Sequence, residues 1–362
     1  MPKKILIISK YFYPTNSPRS FRTTELAKEL ARQGHDVKVI TPTFFEQSNE
    51  FYSKINYQKI KYKRRLKKSN SFFRKLLNRI LEQFFYYPNI TDVKIIRDAL
   101  RKETENFDLL ISIAAPHSVH WGVASIPKKA REKIAKKWIA DCGDPFMFAE
   151  NLQYKRPYYF SILEKKFCGC CDFITVPTKA SIEGYYKEFR HKIKVIPQGF
   201  KFKIKKKNNE VETNMGYKKI AYAGSLNQNR RNPVPFIKYL VQHKKPFKLY
   251  IFSNNLSVVE RWIKEYPNQI VVSNYLPRKE LLEFLKTVDF VVNFKNQGHS
   301  QTPSKLIDYA IADKPILNFY YNKLPTKTID EFFAGNYKNK LTITDLEKYK
   351  IENVTNQFLK LC

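Results

Sequence analysis

The sequence predicts an α/β protein of two doubly wound, Rossmann-like domains, and three observations carry that expectation. Short apolar runs recur along the chain with amphipathic helical patterns between them, the order expected of parallel strands joined by crossover helices. A lysine-rich polar stretch over 201–218 interrupts the series and has the composition of a linker. A second series of the same kind then begins at Ile220. With 362 residues the chain exceeds one ordinary core and suits two, expected at 1–200 and 201–362.

The first strand is Lys4-Ile5-Leu6-Ile7-Ile8, apolar throughout as a strand buried on both faces must be. Phe21, Leu26, Leu30 and Ala31 then repeat at helical spacing up to Gly34, a suitable C-terminal stop. Val37 to Ile40 is the next strand, which completes a βαβ unit. Further strands are expected at 109–113, 138–140, 173–176 and 194–196. In the second half they fall at 220–224, 249–252, 270–272, 290–294 and 316–319.

Between the second and third of these strands, Lys54 to Arg79 holds eleven Lys or Arg and no acid. An insertion of about 50–90 carries it. From Ser71 to Tyr87 the aromatic and leucine residues share one side of a helix, with Arg74, Lys75 and Arg79 on another. Such a basic amphipathic helix suits a membrane surface; the same pattern also fits a helix packed on its domain with a solvated basic face. No nucleic-acid-binding motif accompanies it, so no nucleic-acid partner is expected.

The whole chain has a formal net charge of +33 from 66 basic and 33 acidic residues, which favours polyanionic partners without fixing the fold. Lys10 ends the first apolar run far short of a signal-peptide core, and no run approaches the roughly 20 apolar residues of a bilayer span. A cytoplasmic protein with reduced thiols is therefore expected. Cys168, Cys170 and Cys171 are crowded, but no second Cys or His pair follows at metal-ligand spacing. Core packing at a helix end accounts for them, and no cofactor or obligatory metal is expected.

The most informative stretch joins the last two strands. Thr302-Pro303-Ser304-Lys305-Leu306-Ile307-Asp308-Tyr309 opens a helix after Phe290 to Phe294. The N-terminus of such a helix offers backbone N–H groups and a positive dipole end to an anion such as a diphosphate. Lys305 adds a full charge, and Asp308, one turn on, could accept hydrogen bonds from a ribose diol. Taken alone, Ser304 as a cap and Lys305 with Asp308 as a solvated pair explain the same residues.

Together these segments resemble a GT-B fold glycosyltransferase of the retaining type, family 4, over nearly the whole chain. The opening strand and helix through Gly34-His35-Asp36-Val37 are similar to that family's first unit, though the loop Thr15-Asn16-Ser17-Pro18-Arg19-Ser20 has no glycine. Ala115-Pro116-His117-Ser118-Val119-His120 follows, then Ala140-Asp141-Cys142-Gly143-Asp144-Pro145-Phe146, which is similar to D-x-R-D-P-W with Gly143 in place of Arg. Pro197-Gln198-Gly199 resembles the turn before the second domain. Ala223-Gly224-Ser225-Leu226 with Arg230 and Arg231, and P-S-K-L-I-D-Y with Lys314-Pro315, resemble its donor site.

The resemblance implies a cleft between the domains, a donor diphosphate held by Gly224, Thr302, Ser304, Lys305 and Arg231 with Arg230 in reserve, and a ribose held by Asp308. Ser300 stands where the family has a second glutamate. His117, Asp141 and Asp144 are the implied catalytic residues, orienting donor sugar and acceptor. Transfer with retention, without a protein nucleophile, is implied. So are a nucleotide-sugar donor and a saccharide or polyprenyl-diphosphate-linked acceptor. The expected setting is bacterial surface-polysaccharide or lipopolysaccharide synthesis, with the enzyme peripheral on the anionic inner face of the plasma membrane.

Overall fold

The computed structural model describes residues 1–15, 17–42, 55–61, 71–149, 155–202, 216–295 and 304–362. They form two compact units, Met1–Lys201 with Lys348–Cys362, and Phe202–Glu347.

In the first unit β1 (Lys4–Ser9) leads through α1 (Pro18–Arg32) to β2 (Asp36–Thr41), then β3 (Ile55–Lys59). After α2 (Phe72–Phe85) and α3 (Asp92–Arg101) come β4 (Phe107–Ile113), α4 (Ser118–Ala124), α5 (Lys128–Ile134) and β5 (Ala135–Asp141). The series continues with α6 (Phe160–Cys170), β6 (Phe173–Val176) and β7 (Ile193–Val195). These strands make one parallel sheet in the order β3-β2-β1-β4-β5-β6-β7. The strand order reverses between β1 and β4, so the crevice beyond their carboxyl ends is the topological switch point where ligands of such sheets bind.

Pairing of β1 with β4 places Ile5, Leu6, Ile7 and Ile8 beside Leu109, Leu110, Ile111 and Ser112, and the four β1 residues are fully buried. Continuous apolar runs are what two helix layers, one on each face, demand. β3 lies on the sheet edge within the basic insertion, and only its Ile55 is buried. Cys168 and Cys171 pack into the core at the end of α6.

The second unit runs β8 (Lys218–Ala223), α7 (Val234–Gln242), β9 (Phe247–Phe252), α8 (Glu260–Glu265), β10 (Ile270–Ser273), α9 (Arg278–Leu285), β11 (Phe290–Phe294), α10 (Ser304–Ile311), β12 (Ile316–Phe319) and α11 (Thr326–Phe333). Its sheet is also parallel, ordered β10-β9-β8-β11-β12. Here the reversal falls between β8 and β11.

One boundary differs from the sequence reading, which gave all of 201–362 to the second domain. The chain returns to the first unit as α12 (Ile351–Leu359). Ile351, Val354 and Phe358 form a buried stripe that joins Ile5, Leu26 and Leu30 in one core. Gly199 lets this helix approach, because a Cβ there would lie 2.6 Å from Ile351 Cδ1 and 3.1 Å from Val354 Cβ. The burial of three large side chains outweighs the short polar stretch that separates them from the second unit.

Candidate functional site

In the second unit Gly224, Arg231 and Lys305, three of the expected donor residues, lie close together at the β8–β11 switch point. β8 is followed by Gly224 with φ +155°, a conformation that favours glycine. A Cβ there would stand at ordinary contact distance, 3.5 Å, from Lys305 Nζ, which places the lysine directly against this turn. α10 is pinned to β8 by Tyr309, whose hydroxyl accepts from Ala223 N at 2.8 Å. Lys305, one turn earlier, lies with Nζ 4.2 Å from the Tyr222 ring centroid, and Tyr222 itself is held by donating to Ser225 O at 2.8 Å.

The ammonium of Lys305 is buried and has no hydrogen-bond partner among the described residues. Its pKa is pushed well below the usual lysine value, first by burial and then by the charge of Arg231. Arg231 Nη1 donates to Ser225 Oγ at 2.8 Å. Arg230, its neighbour, is exposed. Two cations thus converge on one glycine turn, an arrangement that an anion placed there would stabilise.

Asp308 is not a solvated partner of Lys305. It accepts from Arg278 Nε at 2.7 Å, and burial raises its pKa while Arg278 opposes the rise. α10 is described from Ser304 onward, whereas Thr302, the expected start of the helix, and Ser300 lie outside the described residues.

The first unit has its own cluster at the β1–β4 switch point. His117 precedes α4 and is buried, its backbone N–H donating to Tyr86 Oη at 3.3 Å. Its Nε2 has no partner among the described residues. Burial, then nearby His120 and Arg156, holds its pKa well below the ordinary histidine value, so the ring is neutral at pH 7. Asp144 follows β5 and is exposed. His120 is committed to packing: its ring nitrogens lie 2.8 Å from Ser112 Oγ and 3.3 Å from Cys142 Sγ.

Asp141 is also committed. Arg22 grips both its oxygens at 3.0 and 2.8 Å, and Thr175 Oγ1 donates to it at 2.7 Å. Arg22 also donates to Ile196 O and Pro197 O. This charge-assisted, bidentate group fastens α1 to the end of β5 and to the turn after β7. His117 thus lies within hydrogen-bond reach of the Asp144 backbone, whereas both oxygens of Asp141 are taken up by Arg22 and Thr175.

Four residues outside the sequence-derived site matter here: Arg19, Arg22, Tyr222 and Arg278. Arg22 sits in the first helix of the unit, and Tyr222 in a strand that reads only as apolar core. Arg278 had no local signal, because its partner Asp308 lies 30 residues away. Gly143 faces Arg19, and a Cβ at 143 would be 2.6 Å from the Arg19 Cζ. A guanidinium from α1 thus covers the position where the similar D-x-R-D-P-W stretch has its arginine.

A family model described as Glycosyltransferase Family 4 matches residues 21–202. No curated protein matches the chain in sequence. Among solved structures, a glycosyltransferase from Rickettsia africae is 13% identical over 99% of this chain and 94% of that one, with a TM-score of 0.57. The lipopolysaccharide outer core galactosyltransferase WaaB is 11% identical, with 99% and 98% covered and a TM-score of 0.61. HepE of Anabaena, solved with UDP and glucose, is 11% identical with the same coverage and a TM-score of 0.61. At these identities the likeness establishes the fold, which is GT-B.

Proposed function

Since the chain belongs to glycosyltransferase family 4, we propose that this enzyme moves a sugar from a nucleotide-diphosphate donor to a lipid-linked saccharide, with retention of configuration. The observation that carries the donor half is Lys305: a buried ammonium beside a second cation, with no partner among the described residues. A diphosphate supplies the missing charge, and the first turn of α10 supplies N–H donors and a dipole end. As the glycosidic bond breaks, negative charge grows on the leaving diphosphate. Fixed cations there lower that barrier without reorganising. Asp308, oriented by Arg278, accepts from the ribose hydroxyls.

In the first unit, neutral His117 offers a ring nitrogen to a sugar hydroxyl, and Asp144 accepts from the acceptor or donor sugar. Asp141 keeps this wall in place through Arg22. No paired carboxylates of the kind used by retaining hydrolases are invoked.

The acceptor half rests on α2. Phe72, Phe73, Leu76, Leu77, Ile80 and Phe84 are all exposed, and helical spacing puts them on one face. No residue of this helix is buried, so its apolar side is not turned onto the domain. Leaving one such side chain in water forgoes roughly 1.5–3 kcal/mol; six on one face make a surface for another apolar phase. Arg74, Lys75 and Arg79 on the other side suit an anionic inner leaflet. Among the described residues no helix is long and apolar enough to cross a membrane, and a peripheral, cytoplasmic-face enzyme fits the arrangement. Surface-polysaccharide or lipopolysaccharide synthesis is the corresponding setting, in line with what WaaB's name states of that protein.

The test is a screen of UDP-, GDP-, dTDP- and ADP-sugars for thermal stabilisation, since a ligand of the native state raises the melting temperature. The best donor is then incubated with membranes bearing polyprenyl-linked saccharides. Free nucleoside diphosphate should appear only when acceptor is present; release at the same rate without acceptor, or no stabilisation by any donor, contradicts the proposal.

A further inference from the structure

Arg19 is an arginine whose donors are mostly unused: the charges of Asp141 and Asp144 act on it, but neither carboxylate forms an ion pair with it. It stands in the first turn of α1, half-buried, and the one hydrogen bond of its guanidinium among the described residues is a long one, 3.4 Å from Nη1 to Ala114 O. It makes no ion pair among them either: Asp141, nearby, is already held by Arg22. Yet the backbone is shaped around the guanidinium. The Gly143 Cα faces its flat side, and a side chain there would collide with Cζ at 2.6 Å, Nη2 at 2.8 Å and Nη1 at 2.9 Å. Arg19, Ala114 and Gly143 follow β1, β4 and β5, so the guanidinium lies at the switch point of the first sheet.

A guanidinium carries five donors in a rigid fork matched to phosphate oxygens. Burial disfavours the guanidinium, the charges of Asp141 and Asp144 offset only part of that cost, and a ligand that fills the unused donors would offset more. The donor's diphosphate has its own cations in the second unit, Lys305 and Arg231. The first unit, in contrast, carries the lipid-facing helix, and a chain of contacts links that helix to Arg19. Tyr86, which caps α2, packs against Phe146 at 5.1 Å between ring centroids and receives the His117 N–H. Phe146 lies three residues beyond Gly143. Two further contacts hold α2 to this wall: Gln83 Nε2 donates to Lys155 O at 2.9 Å, and Tyr159 Oη donates to Phe84 O.

We propose that Arg19, seated on Gly143, grips the diphosphate of a polyprenyl-diphosphate-linked acceptor whose lipid tail leaves along the apolar face of α2. This deepens the lipid-linked-acceptor reading above and rests on it. The two diphosphates of the reaction are thereby read by different units, one by Lys305 and Arg231, the other by Arg19.

The probe is farnesyl diphosphate, with farnesol as its uncharged control, titrated by calorimetry beside the nucleoside diphosphate that most stabilises the parent. Arg19→Ala should lose about tenfold or more in affinity for farnesyl diphosphate and keep its affinity for the nucleoside diphosphate; Arg19→Lys should retain part of the first. Gly143→Ala keeps the charge but pushes the guanidinium aside, and should show the same selective loss with a cooperative melting transition. Lys305→Ala should do the reverse, which tests the donor reading separately. Farnesyl diphosphate binding no tighter than farnesol, or unchanged in Arg19→Ala, overturns the proposal. Equal losses for both diphosphates would also overturn it, by assigning Arg19 to the donor.

Discussion

Glu164 couples pH to the loop that carries Gly143 and Asp144. Its Oε1 accepts from Phe146 N at 3.1 Å and Met147 N at 3.4 Å, and burial pushes its pKa up to about 7 against those bonds and Arg156. A carboxyl raised in the folded state binds its proton more tightly there than in the unfolded chain. Its stabilising contribution is therefore complete below about 4.5 and is lost as pH rises through about 7, with a slope of at most about 1.4 kcal/mol per pH unit. Denaturant unfolding of the parent and of Glu164→Gln between pH 4.5 and 8 should show the parent losing stability relative to the variant over that window. Parallel curves would mean that Glu164 stays ionised. For Asp308, charged hydrogen bonds worth roughly 1.5–3 kcal/mol predict a ten- to hundredfold weaker nucleotide in Asp308→Asn. Calorimetry reads this directly, and unchanged affinity removes Asp308 from the site. Lys305 and Asp308 were legible because helix-start chemistry and charge lie within one short stretch. Their partners Arg231 and Arg278 were not equally so: Arg231 follows a glycine turn, whereas Arg278 meets Asp308 only through tertiary packing.

Among the elements, periodicity revealed the strands with apolar runs and α2 with its two-sided helix. It missed β3, because an edge strand with one buried residue looks like the polar stretch around it. It missed the return of α12 for a different reason. The stripe Ile351, Val354 and Phe358 is visible in sequence, but which core it fills depends on a chain reversal that no local signal encodes. Phe358→Ala should therefore destabilise the first unit by about 3–5 kcal/mol, the usual cost of emptying a buried aromatic site, seen as a lower melting temperature. A loss below about 1 kcal/mol would show α12 to be dispensable. For α2, vesicles of acidic phospholipid should sediment the enzyme and neutral ones should not, with binding falling as salt rises. Changing Phe72, Phe73, Leu76 and Leu77 to Ser should abolish sedimentation while leaving nucleotide binding unchanged. Equal sedimentation of parent and variant would place attachment elsewhere. Lys63, Arg64, Arg65, Lys67 and Lys68 of the same basic stretch lie outside the described residues.

At the scale of the whole molecule, each unit repeats one rule: the strand order reverses once, and the polar residues of interest collect beyond the strands on either side of the reversal. Gly224 and Lys305 flank β8 and β11; Arg19 and His117 flank β1 and β4. A single sequence shows that two such sheets exist, because the apolar runs restart after the linker. It does not show the strand order, which depends on which neighbours pair, nor therefore where the crevices fall. The central claim is that the second unit holds a donor through its diphosphate, and Lys305 tests it most directly. Titration calorimetry with nucleoside and nucleoside diphosphate, on the parent and on Lys305→Ala, compares a ligand that carries the charge with one that lacks it. The account predicts a loss of about tenfold or more for the diphosphate and little change for the nucleoside. Equal losses for both, or none for the diphosphate, would contradict it.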